Sequence, residues 1–219
     1  MQFPDVGRLW QTVTYFEAVP LVSCIQRTLG WNPPPATVMP QGELLFDLTQ
    51  PAGVNLWGAL DDVVMGGRSR SGLVADAAGA RFEGVVTTEN NGGFASIRTR
   101  NLEPPLDLSG ATGLALRVRG DGKRYKLLLR DSHRWDSLAY GAQFDTQPAT
   151  WITVKLPFAD FVPVFRAKTV PEAPPLDRKQ IVSFQLMLSK FAYDGQLNPT
   201  FQPGDFRLQI ATISTYTEP

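Results

Sequence analysis

The chain has 219 residues, 21 basic and 21 acidic side chains, one cysteine and one histidine. Cys24 can close no disulfide within the chain, two Cys/His residues are too few for a structural zinc site, and any histidine-dependent catalysis would have to run through His133. The balanced charge argues against general nucleic-acid binding, and no apolar run approaches the ~18 residues of a membrane-spanning helix.

Taken in chain order, residues 1–42 differ from the rest. Leu9, Val13 and Phe16 are spaced by four and three, and Leu21, Ile25 and Leu29 by four, which predicts two short helices with Pro20 at the start of the second. Gly30 is a plausible stop. Asn32-Pro33-Pro34-Pro35 and Pro40-Gln41-Gly42 then form a stiff connector. The helices are apolar enough to require burial, against the following domain, a partner groove or a membrane surface. No basic n-region or Arg-rich presequence stands at the N-terminus, so the expectation is a cytoplasmic protein, open to peripheral membrane contact through these helices.

From residue 43 to 219 the period becomes two. Leu114, Leu116 and Val118 alternate with Ala115, Arg117 and Arg119; Tyr125, Leu127 and Leu129 alternate with Lys126, Leu128 and Arg130. The same pattern marks 184–189 and 206–211, and further strands are expected at 44–48, 80–88, 93–99, 137–145 and 150–156. Gly and Pro together make up roughly a sixth of the chain, and Asn91-Gly92-Gly93, Gly120-Asp121-Gly122 and Pro203-Gly204-Asp205 are turn signals. Short strands without helical crossovers predict an all-β fold, an antiparallel β-sandwich. Residues 157–180 are too Pro-rich for a central strand and read as a long ordered loop that ends in a helical turn near Asp177–Gln180.

Four segments are specific when taken together. They are Trp57-Gly58-Ala59-Leu60-Asp61-Asp62-Val63-Val64-Met65-Gly66-Gly67-Arg68-Ser69; Asn90-Asn91-Gly92-Gly93-Phe94-Ala95-Ser96-Ile97-Arg98; Arg117-Val118-Arg119-Gly120-Asp121-Gly122 with Tyr125; and Trp151 followed by Leu156-Pro157-Phe158-Ala159-Asp160-Phe161-Val162-Pro163. In this order the chain resembles the complex I intermediate-associated protein family over about residues 44 to 216. The resemblance implies a galactose-binding-like jelly roll and an assembly or chaperone role rather than catalysis. Mitochondrial members are assembly chaperones of NADH:ubiquinone oxidoreductase, and chloroplast relatives are associated with photosystem II assembly and translation. The family pattern leads one to expect glycine where Phe165-Arg166 is followed by Ala167. The absent presequence favours a bacterial source over a mitochondrial one.

Each motif has more than one reading. Asp61-Asp62 with Gly66-Gly67 is a partner rim, part of a Ca²⁺ site, or a tight loop whose carboxylates bond their own backbone. Asn90-Asn91-Gly92-Gly93 is a turn that becomes functional if it meets Asp61-Asp62 at one end of the sandwich. The candidate partner-binding set is Trp57, Asp61, Asp62, Met65, Gly66, Gly67, Ser69, Asn90, Asn91, Gly92, Gly93, Phe94 and Arg98. Arg98 to Arg134 holds nine basic and four acidic residues, and Arg117, Arg119, Lys126 and Arg130 are expected to share one basic sheet face. Such a face would suit RNA, an acidic protein or anionic lipid, or would merely be solvated. Trp57, Trp135 and Trp151 are core residues or sugar-stacking platforms. His133 reads as a surface-loop residue, because no nucleophile elbow frames a serine. No cofactor and no metal is called for, and nucleic acid is a weaker partner than protein.

The expectation is a non-enzymatic assembly factor that binds subunits of a membrane respiratory or photosynthetic complex, of complex I type. The alternatives are a carbohydrate-binding module, or a photosystem-related or RNA-binding factor that uses the basic face.

Overall fold

The structure is a computed structural model that describes Gly7, Trp10, Thr12, Tyr15, Phe16, residues 36–134 and residues 137–218. Leu9, Val13, Leu21, Cys24, Ile25 and Leu29 lie outside the described residues, as do Trp135 and Asp136. The expected helical appendage is therefore represented only by Gly7, Trp10, Thr12 and Tyr15, all helical in conformation.

Thirteen strands are described: β1 (Leu44–Asp47), β2 (Trp57–Ala59), β3 (Arg70–Val74), β4 (Ala80–Val86), β5 (Phe94–Thr99), β6 (Gly113–Arg119), β7 (Arg124–Arg130), β8 (Ala139–Asp145), β9 (Trp151–Pro157), β10 (Val162–Phe165), β11 (Lys168–Thr169), β12 (Ser183–Ser189) and β13 (Gly204–Tyr216). Pro51–Val54 forms one short helix, α1, with Pro51 at its first turn. Two antiparallel sheets result. The first runs β3-β4-β13-β6-β9, with β1 also on β13; the second runs β11-β10-β8-β7-β12-β5-β2.

The period-two apolar positions meet between the sheets. Leu114, Leu116, Val118, Phe82, Phe206, Leu208 and Ile210 come from the first sheet; Ile97, Tyr125, Leu127, Leu129, Phe184, Leu186 and Leu188 come from the second. Edge-to-face aromatic pairs mark the centre, with ring centroids 4.9 Å apart for Phe82–Phe206 and 5.0 Å for Phe46–Phe184.

The outer faces differ. The outer face of β6 exposes Arg117 and Arg119, as the alternation predicts. The second sheet is buried on both faces at its middle: Ser96, Arg98, Lys126, Gln185 and Ser183 on its outer face are all buried. A small apolar cluster of Leu128, Ala139 and Val164, flanked by Met187 and Tyr193, covers part of that face. At the β2 edge Tyr15 packs over Gly58, where a Cβ would overlap the ring, and the Tyr15 hydroxyl donates to the Asn55 carbonyl at 3.2 Å.

One expectation is corrected. Residues 157–180 are not loop throughout, because β10 pairs with β8 and turns into β11. Pro163 is tolerated there because β10 lies next to the sheet's edge, where a missing donor costs least. The segment near 177–180 is a single turn, with the Gln180 N–H donating to the Asp177 carbonyl at 3.1 Å. Of the aromatics in this stretch, Phe158 and Phe161 pack into the core, whereas Phe165 is exposed.

Candidate functional site

The two most specific segments come together at one corner of the sandwich. The chain leaves β2 at Ala59, passes through a 3-10 turn (Asp62–Met65), and enters β3 in the opposite sheet. Asp61 and Asp62 join what this crossover separates. Asp61 accepts from the Ser71 N–H (2.9 Å) and hydroxyl (2.5 Å) on β3, and from the Ser96 N–H (3.0 Å) on β5. Asp62 accepts from the Ser69 N–H (2.9 Å) and hydroxyl (2.6 Å), and from the Gly93 N–H (2.8 Å). Each carboxylate ties the two sheets through charge-assisted hydrogen bonds.

The glycines follow from that arrangement. A Cβ on Gly67 or on Gly92 would overlap the Asp62 carboxylate. Gly66 adopts a left-handed φ of 87° and ends the 3-10 turn. Both aspartates thus act as internal staples. Their neighbours are N–H and O–H donors, the opposite of the oxygen cage that Ca²⁺ requires. Among the described residues no group of three or more His, Cys, Asp or Glu is placed to hold a metal ion.

The loops do meet. The Asn90 side-chain amide donates to the Gly66 carbonyl at 3.2 Å, and Arg68 bridges Glu89 at 2.8 Å. The Lys190 N–H donates to the Gly93 carbonyl at 2.7 Å, which adds the β12–β13 loop as a third wall. That loop carries Phe191 and Leu197, paired in an isolated bridge. Val64, Met65, Phe191 and Leu197 are all exposed, Met65 at 66% and Leu197 at 63%. The result is a rim of three adjoining loops, apolar at its crests and rimmed by Arg68, Glu89, Asn90 and Lys190.

The candidate set therefore divides. Met65, Asn90 and Asn91 are exposed, and Gly66, Gly92 and Phe94 are partly so. Trp57, Asp61, Asp62, Gly67, Ser69, Gly93 and Arg98 are buried and cannot form a surface rim. Trp57 packs in the core, its ring centroid 5.4 Å from that of Phe46. Arg98 lies under the aromatic ring of Phe16, and burial pulls its guanidinium well below its ordinary value, with the charge of Arg130 adding to the shift. Val64, Phe191 and Leu197 were missed from sequence. The signal was there in Phe191-Ala192-Tyr193-Asp194-Gly195, two aromatics running into an Asp-Gly turn.

The single basic face does not exist. β6 and β7 are joined by a turn that crosses from one sheet to the other, not by a hairpin within one. Arg117 and Arg119 point outward from the first sheet, Lys126 and Arg130 outward from the second, so the pairs face opposite ways. Lys126 is buried as well. Its ammonium donates to the carbonyls of Phe191 (2.7 Å) and Ala192 and lies 4.4 Å from the Tyr193 ring centroid, and burial pushes it down to about 8. His133 is exposed, with its carbonyl accepting from the Asn101 side chain.

Known proteins agree with this architecture. The family 11 carbohydrate-binding module of a Clostridium thermocellum cellulosomal cellulase superposes with a TM-score of 0.55 at 19% identity, covering 82% of this chain and 97% of the module. An agarase superposes with a TM-score of 0.54 at 10% identity, covering 80% of this chain and 24% of the agarase. At these identities the likeness is one of fold, a jelly-roll sandwich. An uncharacterised protein of Schizosaccharomyces pombe is 31% identical over 173 residues, covering 71% of this chain and 75% of that protein. The model of one family, described as complex I intermediate-associated protein 30, matches residues 46–210, which run from β1 into β13 and include both stapling aspartates and their glycines. By that match the chain is a member of the complex I intermediate-associated protein 30 family.

Proposed function

We propose that the protein is a non-enzymatic assembly factor that holds subunits of a membrane-bound electron-transfer complex of complex I type until their partners arrive. Family membership across the β domain carries this reading. The client surface is the three-loop rim, with Val64, Met65, Phe191 and Leu197 as apolar anchors and Arg68, Glu89, Asn90 and Lys190 as the polar border. Internal stapling by Asp61 and Asp62 fixes the loops before a client binds, which lowers the ordering cost of association. This role for the two aspartates replaces direct contact with the partner.

Affinity purification of the full chain from the native membrane fraction tests the reading. Subunits of an electron-transfer complex are expected to co-purify, and Met65→Asp combined with Leu197→Asp to reduce their recovery at least about tenfold. Equal recovery by the double variant removes the rim from the proposal. Recovery of glycans on an array, with no membrane-complex subunit from the membrane fraction, removes the assembly role itself.

A further inference from the structure

A groove of about 520 Å³ lies on the outer face of the first sheet, away from the rim. It is lined by Asp76, Arg81, Arg119, Asp121, Arg207 and Gln209, with Ala78, Gly120 and Ala149 completing its wall. Three adjacent strands build its floor. Gln209 on β13 stands directly between Arg81 on β4 and Arg119 on β6, so these two side chains start roughly 10 Å apart, two strand spacings. Trp151 on β9 is the cross-strand neighbour of Arg119 and shares its face.

Most of the polar groups are already held. Glu83 accepts from Arg81 (3.1 Å) and Arg207 (3.0 Å), and Arg81 also bridges Asp76. Asp121 accepts from the Lys123 ammonium at 2.9 Å and from the Arg207 N–H at 3.0 Å. Gln209 gives its amide N–H groups to Asp76 (3.3 Å) and to the Gly79 carbonyl (3.5 Å). The Ala78 N–H and the Arg81 guanidinium hold the Asp76 carboxyl below its ordinary value, so it stays an acceptor at neutral pH. Arg119 is different: among the described residues its side chain makes no ion pair and no hydrogen bond. Three arginines line the groove against two aspartates, and adding Glu83 and Lys123 leaves the same excess of one positive charge.

We propose that this groove binds a hydroxylated oxyanion, a sugar ring bearing one carboxylate or one phosphate. The anion sits on Arg119, which offers a planar fork of donors and no competing acid. Neighbouring hydroxyls donate to the Asp76 carboxylate, which lines the same groove. Trp151, paired with Arg119 across the strands, stands beside the groove rather than in its wall, its ring 5.7 Å from the Arg117 guanidinium. The volume is within the range of small-molecule sites and suits one or two sugar rings.

The test titrates the full chain at low ionic strength with glucuronate, glucose 6-phosphate, glucose and inorganic phosphate, read by chemical shifts of backbone amides around Gly120 and Gln209. One or both charged sugars are expected to bind, and which of them binds assigns carboxylate or phosphate. Glucose and inorganic phosphate should each bind at least about tenfold more weakly, and Arg119→Ala should weaken the charged sugar by a similar factor. Lys155→Ala, which removes an exposed cation elsewhere on the same sheet, should leave the affinity unchanged. Arg119 is exposed, so its truncation leaves the melting temperature in place. No binding of either charged sugar, equal binding of glucose or phosphate, or an unchanged affinity in Arg119→Ala overturns the proposal. None of these outcomes bears on the rim, which shares no residue with the groove.

Discussion

Asp62 is fully buried, and its carboxylate lies within reach of three donors at 2.6–2.9 Å drawn from two separate loops. Asp62→Asn would replace one acceptor oxygen by an amide that points its own donors at those N–H groups. Lost charge-assisted bonds and new donor–donor contact should cost on the order of 3 kcal/mol. For a chain of this size that lowers the melting temperature by roughly ten degrees. Met65→Ala, a few residues away but exposed, should leave it nearly unchanged. A calorimetric scan of both variants decides the matter, and similar melting temperatures would mean that the aspartate is not a staple.

Lys126 belongs to the same scale. Its value in the folded protein is about 8, below the ordinary 10.5. Between those two values the unfolded chain holds a proton that the folded chain has released, so stability rises with pH across that window and is flat below it. Urea midpoints of the native chain and of Lys126→Met, measured from neutral pH to about pH 10, should show the native chain gaining on the variant above about pH 8. A constant difference contradicts this account of the burial.

At the scale of elements, the β10–β11 hairpin explains an expectation drawn from the family. Arg166 and Ala167 both have positive φ, 49° and 64°, as the two central residues of a tight hairpin turn of the mirror-image kind. The second of these positions favours glycine, and that is where the resemblance leads one to expect it. Ala167→Gly should relieve about 1 kcal/mol of left-handed strain and raise the melting temperature by about 2–4 °C. A fall on substitution would show that the strain lies elsewhere. The hairpin escaped the sequence reading because Pro163 and the short β11 hide the period of two. In longer strands such as β6 and β12 the alternation survived, because one face of each packs against the opposite sheet.

For the whole molecule, the sandwich was legible because its core is written in the alternation itself. Leu114, Leu116 and Val118, or Phe184, Leu186 and Leu188, can be buried together only as strands. The family was legible because its motifs are local: Asp61-Asp62 and Gly66-Gly67 are close in sequence, and so are Asn90 to Ser96. What alternation leaves open is which sheet each strand joins. β6 and β7 read as neighbours in one sheet, and the turn between them carries the chain across the sandwich, so Arg117 and Lys126 face opposite ways. Burial of the second face was equally hidden. A polar residue at an outward position looks solvated until another segment covers it, as Tyr193 covers Lys126 and Phe16 covers Arg98. The sequence by itself therefore determined the fold class, the family and the presence of two special loops, because each depends on contacts between near neighbours or on a repeating pattern. Only the tertiary structure decided that the aspartates point inward, that Phe191 and Leu197 join the rim, and that Arg119 faces a groove, because those depend on pairings between residues that are distant in the chain.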